Sequence, residues 1–398
     1  MLKAYSVTLR CAKSARITEL VFHEREAGKT QRRFQGRNVL IPDINLGDFT
    51  CSAVVDWLDV LIRVGKPTQF QWVKKALDGV TGQSCYVWEV KDAGLIKGSL
   101  YRVRFQEPRL GLVREAVDAV VARFGSPARP DVVGMEVSID FTPKVASDEM
   151  RRKLVGVLQR HHMPDRTMMF REGTRPRFSW KQALRPSFVV PLSKNARVNE
   201  SHLRSNENDK PPAVDATYYV GQKHFPPMWR VMDKIVDRQN RATGRHLDLP
   251  EDRRRVRIEV ELGVKQLVER GVRELDDLEE FNFVPLQKPY FQFMQPTFLD
   301  TSRLPAGRRR MFAEFHESER RTKFLNAGVL GLDAMDGALT RERSMNRKEL
   351  VARLRAKCKK LQAVPRAGKG TTGTLIAYDE LNAKAETALR HLGAKFRK

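Results

Sequence analysis

Cysteine and histidine are scarce: the chain of 398 residues holds four of the first and eight of the second. Cys11, Cys51, Cys85 and Cys358 stand far apart and form no Cys-x-x-Cys pair. That excludes a cysteine-built zinc site and suits a reducing compartment. His161 and His162 are adjacent, so their side chains diverge and the spacing of a strand-borne metal pair is missing. No run approaches the ~18 apolar residues of a spanning helix, so no membrane partner is expected. The first residues, MLKAYSVTLRCAKSAR, alternate and carry charge, unlike a secretory signal, and a cytoplasmic location is the expectation. A GxxxxGK[ST] loop is absent, which argues against an ATP-driven motor. The glycine-containing run at 367–374 has the wrong spacing for one and reads as a flexible joint.

Acid is in short supply as well. Against 73 Lys+Arg stand 48 Asp+Glu, a formal net charge of +25. With 41% hydrophobic and 30% charged residues the chain is a globular protein, and an excess of base on that scale points to a polyanion, nucleic acid first. The excess is uneven. Residues 301–398 hold 23 Lys+Arg and 10 Asp+Glu, a net of +13, leaving +12 for the first 300. This suggests three consecutive parts: an N-terminal segment (1–50), a sheet core (51–300, with a loop near 195–212), and a basic helical tail (301–398).

The core reads as α+β, an antiparallel sheet flanked by helices. Residues 52–64 (SAVVDWLDVLIRV) have the β-branched content of a strand. Residues 85–89 and 100–105 alternate and read as neighbouring antiparallel strands joined by a turn at 91–98. Residues 111–124 place Leu112, Ala116, Ala119, Val120 and Phe124 on one helical face. A strand at 133–141, a helix at 147–161, strands at 216–221 and 228–232, a helical segment and a strand at 254–262 follow. Strand, helix and strand on both sides of the central loop suit a duplicated unit, although no residue-level repeat is visible.

In the strand at 133–141, Met135, Val137, Ile139 and Phe141 share one face and Glu136, Ser138 and Asp140 the other. Glu136 and Asp140 lie roughly 13 Å apart along it, so they bracket a site unless the strand bends. Arg255, Arg257, Glu259 and Glu261 form the polar face of the strand at 254–262. If the two strands are neighbours, acids and arginines meet on one surface, a setting for Mg²⁺ or Mn²⁺ with a phosphate completing its shell. A solvated, mutually paired charged face fits the same pattern. In the tail, Arg308, Arg309 and Arg310, then Arg320, Arg321 and Lys323, precede a helix at 346–364. An apolar stripe in that helix leaves Arg355, Lys359 and Lys360 to face phosphates.

Three segments together resemble the replication initiation factor family of rolling-circle plasmids and filamentous phages, with its related relaxases. They are Val55-Asp56-Trp57-Leu58-Asp59-Val60; Glu136 to Phe141; and Thr217-Tyr218-Tyr219-Val220-Gly221, leading through Trp229-Arg230 and Met232-Asp233-Lys234 to Arg257-Ile258-Glu259. The resemblance covers about residues 52–265 and implies a DNA-nicking enzyme of a plasmid, phage or integrative element. A tyrosine would attack a phosphodiester at an origin or transfer origin, assisted by Mg²⁺ or Mn²⁺. It implies Glu136, Asp140 and Glu259 as metal ligands, Arg230, Lys234 and Arg257 as phosphate contacts, and a homodimer. The family's tyrosine position is Met232 here, and a thioether forms no phosphodiester. Tyr218 and Tyr219 are the nearest catalytic candidates, and because they alternate in direction at most one faces the acids. The alternative is a non-catalytic protein that binds origin DNA, or RNA, on the same scaffold.

Overall fold

A computed structural model describes residues 3–11, 14–28, 34–90, 98–165, 213–222, 224–239, 246–357 and 375–397, with short pieces between 167 and 188. The expected turn at 91–98 and loop near 195–212 lie almost wholly outside the described residues, as do Lys359 and Lys360; of Arg355 only the backbone is described. No described helix is long and apolar enough to cross a membrane.

The strands, in chain order, are β1 (Ala4–Arg10), β2 (Ile17–Glu26), β3 (Arg37–Pro42), β4 (Phe49–Thr68), β5 (Tyr86–Glu89), β6 (Gly98–Gln106), β7 (Asp131–Pro143), β8 (Arg177–Ser179), β9 (Ser187–Phe188), β10 (Thr217–Gln222), β11 (Phe225–Lys234), β12 (Val236–Gln239), β13 (His246–Asp248), β14 (Arg255–Gly263), β15 (Met294–Leu299) and β16 (Leu375–Ala377). All described pairings are antiparallel, and with the helices between them the fold is α+β. Between β11 and β14 the expected helical segment is instead the hairpin β12–β13. Val236-Asp237-Arg238-Gln239 holds one apolar residue and shows neither period, so its antiparallel partner decides its state.

The chain divides into two compact units, each discontinuous in sequence. The first comprises Met1–Asn45, Asp148–Tyr219 and Gln292–Asp379; the second comprises Leu46–Ser147, Val220–Phe291 and Glu380–Lys398. The composition shift near residue 300 therefore falls inside the first unit, because β15 pairs with β3 and takes the following helix with it.

In the first unit the sheet order is β1-β2-β3-β15-β16. The helix Asp148–His161 packs on β2, and the helix Arg308–Lys357 packs on it in turn. The longer helix is broken at Gly328, whose φ is +68°. A Cβ there would sit 2.8 Å from the Arg160 backbone, so close approach and left-handed backbone both require glycine. His161 is core: its Nδ1 meets the Met294 carbonyl at 2.8 Å, its ring packs among Phe22, Phe324 and Tyr378, and burial pushes its pKa down to about 4.

The second unit is built on six consecutive strands in the order β5-β6-β4-β7-β14-β11. Val60, Ile62, Val137, Ile139, Ile258 and Val260 are fully buried on one face, each contributing roughly 1.5–3 kcal/mol of apolar burial. The helix α1 (Phe70–Thr81) packs against α2 (Leu110–Phe124), and α2 against β4. The buried stripe of α2 is Leu110, Val113, Ala116, Val117 and Val120, rotated from the expected one because Leu112 and Ala119 are only half-buried. The opposite sheet face is polar.

Candidate functional site

Register brings the polar residues together. β14 runs against β7 with Glu261 opposite Glu136, Glu259 opposite Ser138 and Arg257 opposite Asp140. On its other side β11 sets Arg230 opposite Glu259, Met232 opposite Arg257 and Lys234 opposite Arg255. Directly opposed residues share a face, so the acids and arginines do converge. Met232 lies among them, beside Arg257.

β4 adds residues that alternation alone misplaces. Asp56 and Asp59, three apart, belong on opposite faces of a regular strand. The register slips between Val55, opposite Val137, and Trp57, opposite Glu136, leaving Asp56 as the extra residue of a bulge. Both aspartates thereby reach the polar face. Asp56, Glu136 and Glu259 each bring a carboxylate oxygen within 4.8 Å of the others.

The electrostatics are those of crowded like charges threaded by arginine. Glu136 and Glu259 are almost wholly buried. Arg230 bridges them: its Nη2 donates to Glu136, and its Nε lies 2.6 Å from Glu259 Oε2, out of line for a hydrogen bond. Glu259 Oε2 accepts no hydrogen bond among the described residues. Burial, then the Glu259 carboxylate, push Glu136 up to about 8, with Asp56 and Glu261 adding to the rise and Arg230 opposing it. Burial pushes Asp56 the same way, but Arg257, with Lys234 and Arg230, outweighs it and holds Asp56 below its ordinary range. Lys234 is lowered by burial and then by neighbouring Arg257.

Asp140 takes another role. Arg257 donates to it from Nε at 2.5 Å and Nη2 at 2.7 Å, a two-pronged pair, and Arg255 Nε lies 2.9 Å away. Arg257 Nη1 donates to Asp56 at 2.6 Å. Arg257 is thus buried beneath the face and committed to two aspartates, and Asp140 is committed to two arginines. The acid that completes the group of three is Asp56, placed by the bulge. A sign of it was present in the sequence: two acids inside a strand otherwise rich in Val, Leu and Ile, where a buried carboxylate needs a partner.

The three carboxylates fit a hard divalent cation. In an octahedral Mg²⁺ shell adjacent oxygens stand about 3.0 Å apart and opposite ones about 4.2 Å, so the three carboxylates would close around the ion by up to about 2 Å. Asp56, Glu136, Asp140, Glu259 and Glu261 carry five formal negative charges, and Arg230, Lys234, Arg255 and Arg257 four positive. A cation in their midst would leave the face positive, which suits a phosphate.

The remaining candidates lie in the first unit. Tyr218 is buried and its phenol is raised by burial, against the pull of Arg160. Tyr219 is half-buried. Arg308 and Arg309 are exposed at the start of their helix, and Arg310 pairs with Glu314 at 2.8 Å. Arg320 and Lys323 are buried, and Arg321 pairs with Glu24 at 2.9 Å, so this part of the basic run is internal. In the second unit Cys51, on β4, is pushed up to about 12 by burial and is no nucleophile.

No protein-family model matches the sequence, and no curated protein matches it. Among solved structures, a rolling circle replication initiator protein from Geobacillus stearothermophilus is similar at 13% identity and a TM-score of 0.29, over 67% of this chain and 97% of that one.

Proposed function

We propose that this chain is a DNA-binding protein of the replication-initiator and relaxase type, whose polar sheet face holds a phosphodiester beside a divalent cation. The observation that carries the reading is the convergence of Asp56, Glu136 and Glu259 with Arg230 on one sheet face. The family resemblance of the same strands supports it. Asp56, Glu136 and Glu259 would hold Mg²⁺ or Mn²⁺, which when bound supplies polarisation of the phosphate. Arg230, about a quarter exposed, is the cation of the face placed to meet a phosphate oxygen. Lys234 stands at the open end of β11, and Arg257 fixes Asp56 and Asp140 from below.

A second reading, a non-catalytic DNA-binding protein on the same scaffold, is favoured by Met232. It occupies the family's tyrosine position on the polar face itself, and its thioether cannot attack phosphorus. Tyr218, being buried, would have to leave its core to serve; Tyr219 is the better candidate for a nucleophile. The assay is incubation of the full chain with supercoiled origin-bearing plasmid and Mn²⁺. Relaxed plasmid carrying a covalent protein adduct, lost in Tyr219→Phe, supports nicking. Retained DNA binding with no relaxation supports the second reading. Wild-type chain that binds no DNA with or without Mn²⁺ sinks both.

A further inference from the structure

The β5 end of the same sheet face carries a second feature that the acid cluster does not use. Among the described residues β5 ends the sheet, and its two outward side chains on the polar face are Tyr86 and Trp88, 57% and 45% exposed. Their rings are stacked, with centroids 6.1 Å apart and planes 13° from parallel. Across the strand pair stand Arg104, opposite Tyr86, and Arg102, opposite Trp88. The Arg104 guanidinium lies 3.6 Å over the Trp57 ring and 5.7 Å from the Trp88 ring.

The arginines are held from beneath. Asp59, fully buried, accepts from Arg104 Nε at 2.6 Å and Nη2 at 2.7 Å and from Arg102 Nε at 2.8 Å. One carboxylate under two guanidiniums leaves a positive charge on the patch, and Arg102 remains about two-fifths exposed. Trp57 can lie across the sheet because Gly134, opposite Asp59 on β7, carries no side chain; a Cβ there would meet the indole at 3.1 Å. The layering is therefore Trp57, Arg104, Trp88 and Tyr86, ending in two half-exposed rings at an open edge.

Large exposed rings at a sheet edge are a liability unless something covers them. Flat rings interleaved with fixed guanidiniums complement one polymer well: unpaired bases stack on the rings while their phosphates meet the arginines. Duplex DNA hides its base faces and can use only the charges. We infer that the β5–β6 edge is a stacking platform for single-stranded DNA, which leads an unpaired strand across the sheet toward Asp56, Glu136 and Glu259. Three strand spacings, roughly 14 Å, separate β5 from β7, a reach of a few nucleotides. The inference rests on the DNA-binding reading for the identity of the polymer.

The test uses the full chain in EDTA, a short labelled oligodeoxynucleotide, its duplex and the RNA of the same sequence, read by fluorescence anisotropy. Tyr86→Leu and Trp88→Leu keep apolar volume on an exposed face, and unchanged melting temperatures establish that they fold. Each should weaken single-stranded DNA binding by about tenfold or more. Duplex affinity should stay within about twofold and the salt slope should not move, since every phosphate keeps its arginine. Trp88→Phe, which keeps a ring, should restore most of the loss. Single-stranded affinity that does not change in the leucine variants, or falls in step with duplex affinity, overturns the platform and leaves the DNA-binding reading standing. Tighter binding of the RNA than of the DNA overturns the assignment of the polymer. Wild-type chain that binds neither form of DNA overturns the platform and the DNA-binding reading together.

Discussion

Arg257 on the sheet of the second unit and Arg320 on the long helix of the first are alike in burial: each is about 1% exposed and hydrogen-bonded to two carboxylates. Their surroundings differ in what is left over. Around Arg320 the account closes, with Glu317 at 2.8 Å, Asp336 at 3.0 Å and the Thr297 carbonyl at 3.0 Å. Around Arg257 carboxylate is in surplus: Glu259 Oε2 accepts no hydrogen bond among the described residues, and Glu136 is pushed up to about 8 by burial and a like-charged neighbour. A closed buried network serves structure, whereas one with surplus carboxylate has an appetite for a cation. Counting arginines along the sequence does not separate the two.

The largest expected effects break the likeness directly. Arg257→Ala strands Asp140 and Asp56, and Arg320→Ala strands Glu317 and Asp336; each should cost about 3–5 kcal/mol in urea unfolding. Millimolar Mn²⁺ should recover part of the loss in Arg257→Ala, where three carboxylates remain to bind it, and none in Arg320→Ala. Equal recovery would place no special cation site on the sheet. Next in size, Glu259→Gln should lower Mn²⁺ affinity by about tenfold or more by calorimetry, whereas Glu317→Gln should leave it unchanged.

The pH dependence sharpens the same contrast. Glu136 has its folded pKa raised above the ordinary carboxylate value, so its contribution to the stability of the metal-free protein is full below that ordinary value. The contribution is lost as pH rises through about 8. A cation must displace the Glu136 proton, so Mn²⁺ affinity should climb by up to about tenfold per pH unit toward pH 8 and then level off. A flat profile between pH 6 and 8 would show that Glu136 is already ionised. The smallest effect concerns the exposed start of the long helix. Replacing Arg308, Arg309 and Arg310 by Ala should reduce the slope of log affinity against log salt by about one for each phosphate no longer neutralised. An unchanged slope would reassign those arginines to another role.

The elements legible from pattern were those whose apolar residues recur with a simple period. β4, β7, β11 and β14 alternate, and the helices Leu110–Phe124 and Asp148–His161 repeat at 3.6, so each was visible within a few residues. The 236–248 hairpin was not, because one valine among three polar residues carries no periodic apolar signal and a pairing partner decides their state. Of the candidate ligands, Glu136 and Glu259 were legible as the polar phase of their strands. Asp140 was legible in phase but not in partner, since only register reveals that Arg257 faces it. Asp56 was hidden by the bulge, and Tyr86 and Trp88 by their distance in sequence from every acid they share a face with.

The order of residues alone determined the α+β class, the face on which each acid and arginine of β7 and β14 would stand, and the net positive charge that points to a polyanion. These are local or additive properties, set by a period of two along a strand and by a sum of charges. Tertiary structure alone decided which carboxylates meet, because one extra residue in β4 turns Asp56 toward Glu136 and register fixes Arg257 on Asp140. It also decided which arginines are surface: Arg320 of the basic run is sunk in a closed network, while Arg102 stands one strand in from β5 beside two exposed rings. Charge and exposure part company on folding, because a guanidinium is buried wherever a carboxylate is positioned to receive it, and that positioning belongs to the fold.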